Sequence, residues 1–166
     1  NKDTWDLTVS NPNTVEEEVV LQTVLNAVDR FNKKVFLFYP NIDASHSTML
    51  SDMQTKLSDP NYIIIKNLEM KNFSILIKHS LCFIGNSSSG IRESASFKVP
   101  FINIGKRQKN REQNNNTINC PIDENEIYKA IQLGIKMKDS LTGENIYHKK
   151  NSSELIAKII CQKYVQ

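Results

Sequence analysis

A run of three serines between two glycines, GNSSSG at residues 85–90, follows an apolar stretch near the middle of the chain. Gly85 and Gly90 would let the backbone approach a ligand closely, and the serine hydroxyls would add hydrogen-bond donors. Because the loop lies between a predicted strand and a predicted helix, its N–H groups could bind an anion such as phosphate. An ordinary turn in which Ser89 caps the helix fits equally well, so both interpretations stay open. Gly90 is not followed by lysine, which excludes a P-loop.

Charged residues near this loop offer two further interactions. Glu93 is expected on the first turn of the following helix, where the helix dipole stabilises a carboxylate. It could instead accept hydrogen bonds from the vicinal hydroxyls of a ribose. The stretch GKRQKNR at 105–111 contains four cations and follows the next predicted strand. It fits a solvated basic loop, or a phosphate clamp in which Arg107 and Arg111 supply forked donors.

Other polar residues indicate chemistry less directly. Asn41 and Asp43 follow the predicted second strand in YPNIDA, where turn formation accounts for them, although they fall on the ligand edge of the predicted sheet. The three histidines and three cysteines show no spacing typical of a metal site, a disulfide framework or a catalytic triad. We expect structural or surface roles for the histidines and reduced thiols for the cysteines, as in a cytoplasmic protein.

Short apolar runs alternate with segments of helical period and must position these residues. Strands are predicted at residues 5–10, 34–39, 62–66, 81–85, 100–105 and 116–120. Helices are predicted at residues 14–31, 46–57, 71–80, 90–97, 123–137 and 152–165, with capping boxes at Thr14–Glu17 and Asp123–Glu126. The alternation is typical of the α/β class with a Rossmann-like, doubly wound parallel sheet. Ligands bind such sheets at the carboxyl ends of the strands. The serine loop (residues 85–90) and the basic loop (residues 105–111) should therefore lie side by side at this edge. The polar stretch REQNNN at 111–116 is predicted to be an exposed loop.

Length and composition limit the class of protein. The 166 residues predict one domain of ordinary composition, with 39% hydrophobic and 23% charged residues. The net charge of +3 is too small to indicate a nucleic-acid partner. No apolar run is long enough to span a membrane, and the N-terminus lacks a signal-peptide pattern. We therefore expect a cytoplasmic protein without nucleic-acid or membrane partners and, since no Met begins the chain, a piece of a longer protein.

Two stretches resemble a known family. GNSSSGIRESASFKVPFINIGKRQKNRE closely resembles the signature of the hydrolysing UDP-N-acetylglucosamine 2-epimerases of sialic-acid pathways, and RFNKKVFLFYPNIDA resembles the second strand and following turn of the same family. The resemblance covers nearly the whole chain. It implies that residues 1–166 form the C-terminal, nucleotide-binding half of a GT-B-type two-domain epimerase. The implied partners are a UDP-sugar substrate, the N-terminal domain of the same protein and, at full length, further copies in a homo-oligomer.

The resemblance also implies a set of substrate-binding residues and a reaction. The set is Asn41, Leu68, Ser87, Ser88, Gly90, Glu93 and Arg107. The two serines would bind the diphosphate, the glutamate the ribose hydroxyls, the arginine the phosphates and the main chain near the leucine the uracil. The asparagine would face the ligand across the cleft. The implied reaction eliminates UDP from UDP-GlcNAc or a related UDP-HexNAc to give a glycal, which is hydrated to a free ManNAc-type sugar. The acid/base carboxylates belong to the N-terminal domain, so this chain alone should bind UDP weakly without turnover. No cofactor and no metal is implied.

Two departures from the family pattern keep alternatives open. Asn11 stands where the family has the histidine of a His-Pro pair, which puts in doubt a ligand or proton-transfer contribution from that position. The Gly-rich turn before the last helix is here YHKKNSS, with His148, Lys149 and Lys150. This change predicts different packing of the last helix and added positive charge that could affect the diphosphate. A GT-B glycosyltransferase and a UDP-sugar binding or regulatory module without catalysis therefore remain alternatives. The sequence does not distinguish UDP-GlcNAc from UDP-linked diamino sugars.

Overall fold

A single parallel sheet organises the chain in the computed structural model, which describes residues 7–10, 18–39 and 53–164. The strands are β1 Leu7–Ser10, β2 Val35–Phe38, β3 Tyr62–Ile65, β4 Cys82–Gly85, β5 Phe101–Ile104 and β6 Thr117–Cys120. Their order across the sheet is β3-β2-β1-β4-β5-β6, and every pairing is parallel. The direction of winding reverses between the neighbours β1 and β4, which is where doubly wound sheets bind ligands. The predicted Rossmann-like sheet is confirmed.

Helices accompany the strands. They are α1 Glu18–Asp29, α2 Met70–His79, α3 Ser88–Arg92, α4 Glu124–Met137 and α5 Ser152–Tyr164. Asp123 caps α4 as predicted, because its carboxylate accepts a 3.0 Å hydrogen bond from the Glu126 N–H. The predicted capping box at Thr14 and Glu17 lies outside the described residues, as does most of the helix predicted at 46–57. None of the helices in the described ranges has both the length and the apolar character needed to cross a membrane.

The two faces of the sheet bury different side chains, since successive strand residues point in opposite directions. Ile84 and Ile102 belong to a core that includes residues of α1 and α4. Phe83 and Phe101 belong to a second core with Ile91 of α3, and the centroids of the two phenylalanine rings are 5.5 Å apart. The second core therefore anchors α3, and with it the serine loop, to the middle of the sheet.

The helix predicted at 90–97 is wrong in its start and in its continuity. It begins two residues earlier as α3 and is followed by a separate 3-10 helix at Ser94–Phe97. The Ser94 hydroxyl donates to the Gly90 carbonyl, which the backbone N–H of the same residue would bond in a continuing α-helix. Glu93 consequently lies at the end of α3 rather than on its first turn. The dipole of this helix therefore does not account for a carboxylate there.

The thiols differ in accessibility, and this leads to a prediction. Cys82 and Cys120 are buried, and burial raises the pKa of each thiol to about 12, whereas Cys161 is exposed on α5. For Cys120, the nearby carboxylates of Glu126 and Asp123 add to the effect of burial in reaching this pKa. Iodoacetamide at pH 8 should therefore alkylate Cys161 first, with the other two protected until the chain unfolds. Peptide mass spectrometry of native and urea-treated protein measures this order. Equal native labelling of all three would contradict the buried positions.

Candidate functional site

The serine loop leaves the sheet at the end of β4. Gly85, the last residue of that strand, has a φ of 141°, a conformation that L side chains rarely adopt. Ser87 is the N-cap of α3, because its Oγ accepts a 3.3 Å hydrogen bond from the Ser89 N–H. Ser89, the residue predicted to cap, is therefore inside the helix.

The loop presents donors that the described part of the chain does not use. The Ser87 hydroxyl accepts the capping bond and keeps its proton available for donation. The backbone N–H groups of Ser87 and Ser88 have no acceptor among the described residues. Since α3 has only five residues, these local donors, rather than the dipole of a long helix, would hold an anion.

The basic loop after β5 contacts the serine loop directly. Arg107 donates from Nη1 to the Asn86 carbonyl at 3.3 Å, and Gln108 donates from Nε2 to the same carbonyl at 2.7 Å. Arg107 is exposed, and its remaining N–H groups are available to an anion, whereas Gln108 is only 2% exposed. The prediction that the two loops lie side by side is confirmed. No role for Gln108 follows from the sequence, because a neutral amide within a basic loop carries no recognisable pattern.

The predicted second arm of the phosphate clamp is not brought to the same place. Residues 105–111 form turns instead of a helix, in which the Lys109 N–H bonds the Lys106 carbonyl and the Arg111 N–H bonds the Gln108 carbonyl. Among the described residues, the Arg111 side chain makes no hydrogen bond or ion pair with the serine loop. The structure thus supports a contact to this loop from Arg107, without a clamp of two arginines.

Gly90 has a packing role that the sequence pattern does not reveal. A Cβ placed on this residue would lie 2.0 Å from Cε2 of the Phe101 ring. Gly90 is buried on α3, and the absence of a side chain allows the helix to lie directly against β5. Close helix–sheet packing therefore accounts for this glycine, independently of any ligand.

Glu93 lines a cavity of about 240 Å³. One wall comes from the end of α3 and the following 3-10 helix, and the other from the segment before α5. The lining residues are Arg92, Glu93, Ser96, Phe97, Asn145, Tyr147 and His148. The five residues of α3 rise about 7.5 Å, so Ser87 and Glu93 lie at opposite ends of this helix. A ligand that contacts both must extend along α3.

Asn145 holds the second wall of the cavity in place. Its Nδ2 donates to the Arg92 carbonyl at 2.8 Å and to the Ser96 hydroxyl at 2.7 Å, and its Oδ1 accepts from Asn114 at 3.1 Å. These bonds connect the segment before α5 to the end of α3. Asn145 is not recognisable in the sequence, because an isolated asparagine in a loop resembles any turn residue.

The prediction that residues 111–116 form an exposed loop is wrong at two positions. Asn114 is 6% exposed and Asn116 is 1% exposed. The Nδ2 of Asn116 donates to the Ser94 hydroxyl at 2.7 Å and to the Val99 carbonyl at 2.6 Å. Both asparagines satisfy backbone or side-chain groups of the α3 region, so their polarity serves the interior of the fold.

The remaining predicted residues are distributed as follows. His148 lines the Glu93 cavity, whereas Lys149 and Lys150 are exposed and do not line it. Leu68 follows β3, three strands from β4, which corresponds to about 14 Å across the sheet. The predicted residues Asn41, Asp43 and Asn11 lie outside the described ranges. In those ranges, no group of three or more His, Cys, Asp or Glu side chains is arranged to hold a metal ion.

Comparison with known proteins decides the family. A family model described as UDP-N-acetylglucosamine 2-epimerase matches residues 6–161. The chain belongs to the UDP-N-acetylglucosamine 2-epimerase family. The family resemblance seen in the serine and basic loops is thereby confirmed.

Individual relatives of the chain agree with the family assignment. It is 27% identical over 164 residues to a UDP-N-acetylglucosamine 2-epimerase of Neisseria meningitidis serogroup B, covering 94% of this chain and 42% of the relative. It is 31% identical over 140 residues to a UDP-N,N'-diacetylbacillosamine 2-epimerase (hydrolyzing) of Legionella pneumophila, covering 82% of this chain and 36% of the relative. The chain therefore spans less than half the length of these curated relatives.

The fold agrees with a solved structure of the family. The UDP-GlcNAc 2-epimerase of Methanocaldococcus jannaschii, crystallised in complex with UDP-GlcNAc and UDP, matches with a TM-score of 0.75 at 17% identity. The match covers 96% of this chain and 46% of that chain. It confirms the Rossmann-like fold of these GT-B-like epimerases.

Proposed function

We propose that the chain is the C-terminal, UDP-binding half of a hydrolysing UDP-N-acetylglucosamine 2-epimerase. The observation that carries the proposal is the contact of Arg107 with the Asn86 carbonyl, which sets an exposed guanidinium beside the donors of the serine loop. This arrangement lies beside the switch point of the sheet in a chain of the epimerase family. The hydrolysing type is supported by the Legionella pneumophila relative, whose name specifies it.

The site residues divide the nucleotide between them. Ser87 and Ser88 donate to the diphosphate from hydroxyl and backbone groups, and Arg107 neutralises part of its charge. Glu93, at the far end of α3, accepts hydrogen bonds from the ribose hydroxyls. Asn41 and the main chain near Leu68 complete the proposed set, on the parts of the ligand edge that follow β2 and β3.

The proposed reaction removes UDP from the sugar. Loss of the proton on C2 and cleavage of the bond between C1 and the diphosphate oxygen give a glycal and UDP. Water then adds across the double bond, with a proton delivered to the opposite face of C2 and a hydroxyl to C1, which releases a free ManNAc-type sugar. The groups of this chain stabilise the charge that develops on the diphosphate as the C1–O bond breaks. The acid/base carboxylates belong to the other domain.

The test is product analysis with the intact protein and UDP-GlcNAc. Release of UDP together with free ManNAc supports the proposal, and a UDP-linked diamino sugar as the better substrate would refine it. Transfer of the sugar to an acceptor would instead indicate a glycosyltransferase. Binding of UDP-GlcNAc without any product would indicate a regulatory module.

Arg107 supplies a prediction for binding. Arg107→Ala should weaken UDP binding about fivefold to tenfold, because an exposed charged donor loses part of its strength to solvent. Lys106→Ala removes one positive charge next to it without touching the Asn86 carbonyl and serves as the matched control. Isothermal titration calorimetry of both variants measures the difference. Equal weakening by the two substitutions would indicate general charge attraction instead of a specific contact.

A further inference from the structure

We propose that Gln108 is a positioning residue, which fixes the serine loop in the orientation that binds a diphosphate. The inference rests on the proposed function, since it assigns a task to a residue behind the same site. It is carried by the hydrogen bonds that two neighbouring residues, Arg107 and Gln108, donate to the same carbonyl oxygen, that of Asn86.

The two donors to the Asn86 carbonyl differ in environment. Arg107 is exposed and its contact is the longer of the two at 3.3 Å. Gln108 is 2% exposed, and its bond of 2.7 Å is short for an N–H donor. When the guanidinium turns toward a phosphate, the amide still holds the carbonyl. Arg107 therefore contacts the ligand, and Gln108 keeps the loop in place.

The bonded carbonyl determines the direction of a donor in the loop. The C=O of Asn86 and the N–H of Ser87 belong to the same peptide unit, in which the two groups point in opposite directions because the bond is planar and trans. Because the Asn86 carbonyl points toward Gln108 in the basic loop, the Ser87 N–H points away from that loop. That N–H is one of the donors that have no acceptor among the described residues.

The burial of Gln108 argues against a purely stabilising role. Its Oε1 is buried and has no hydrogen-bond partner among the described residues. A buried acceptor without a partner destabilises a fold, so methionine of similar shape should be tolerated at this position. The carbonyl of Asn86 would keep its second donor, Arg107. Substitution of Gln108 should therefore alter ligand binding more than stability.

The experiment compares UDP with uridine, which lacks the diphosphate, on the intact protein. In Gln108→Met, UDP affinity should fall about fivefold to tenfold, the effect of one hydrogen bond, with uridine affinity unchanged within about twofold. Gln108→Leu also lacks the donor and adds no charge at this buried position, so it should give the same selective loss if the methionine variant does not fold. Gln132→Met is the matched control, because this glutamine is exposed on α4 and its amide donates to the Tyr128 hydroxyl, away from the serine loop. Titration calorimetry and thermal unfolding provide the measurements.

The outcomes separate this inference from the proposed function. Loss of affinity for UDP alone, at an unfolding temperature close to that of the parent, supports the positioning role. Equal losses for UDP and uridine, or no loss for either, overturn it while leaving UDP binding by the parent protein intact. Failure of the parent protein to bind UDP overturns the proposed function, and the positioning role with it.

Discussion

Gly90→Ala should destabilise the protein by about 2–3 kcal/mol, although alanine is normally the better helix residue by about 1 kcal/mol. The sign reverses because the new Cβ would lie 2.0 Å from the Phe101 ring. That ring is fully buried and packs on Phe83, so it has no open space into which to move. The midpoint of urea unfolding measures the loss, and an unchanged or raised midpoint would contradict the packing role of Gly90.

Two further substitutions control this prediction. Gly134→Ala, in α4, places a Cβ 3.0 Å from the Cys82 sulfur and the Ile102 side chain, so it should cost less than Gly90→Ala. In a double variant that combines Gly90→Ala with Phe101→Leu, the smaller side chain makes room for the added Cβ, and the two single losses should sum to more than the observed one. Strict additivity would show that Phe101 is not the obstacle.

The parts of the fold that could be predicted are those determined by local pattern. β4 and β5 are short runs in which every residue is buried, and such runs indicate strands covered on both faces. Asp123 caps α4 through a bond to a residue three positions away, which the sequence contains in full. The side-by-side placement of the serine and basic loops follows as well, because the carboxyl ends of neighbouring parallel strands share an edge.

The rest depends on partners that are distant in the sequence. The 3-10 helix after α3 forms where Ser94 bonds both Gly90 and Asn116, and the last of these is 22 residues away. Gln108 acquires its contact only when β4 and β5 pair and bring the two loops together. Asparagine and glutamine are typical of turns and surfaces, so their burial in this protein is a property of the tertiary fold and not of their immediate neighbours.

The position of the cavity wall before α5 also depends on contacts between residues that are distant in the sequence. These contacts determine which side chains face Glu93. Asn145 ties this wall to the Arg92 carbonyl, one residue before Glu93. His148, which stands in the segment where the family pattern is Gly-rich, is thereby placed in the cavity that Glu93 lines. The change in that turn therefore concerns the end of α3 that we propose to bind the ribose, and its lysines remain exposed.

Glu93→Gln should weaken UDP binding about tenfold to a hundredfold, corresponding to the roughly 1.5–3 kcal/mol of a hydrogen bond to a charged group. The effect should exceed that of Arg107→Ala, because Glu93 is partly buried in its cavity and Arg107 is exposed. Glutamine keeps the shape of the side chain, so the fold should be unaffected. Titration calorimetry of UDP against the intact protein measures the change. Glu112→Gln, an equal change of charge at an exposed position, is the matched control and should have little effect.

A comparison of UDP with 2'-deoxy-UDP identifies the group that Glu93 contacts. If the carboxylate accepts from the 2'-hydroxyl, the parent protein should prefer UDP by about tenfold, and Glu93→Gln should lose most of that preference. The two ligands carry the same diphosphate, so the serine loop and Arg107 contribute equally to both. Equal weakening of both ligands by Glu93→Gln would place the carboxylate away from the 2'-hydroxyl, even if overall affinity falls. Loss of the preference alone ties Glu93 to the ribose, at the opposite end of α3 from the donors proposed to hold the diphosphate.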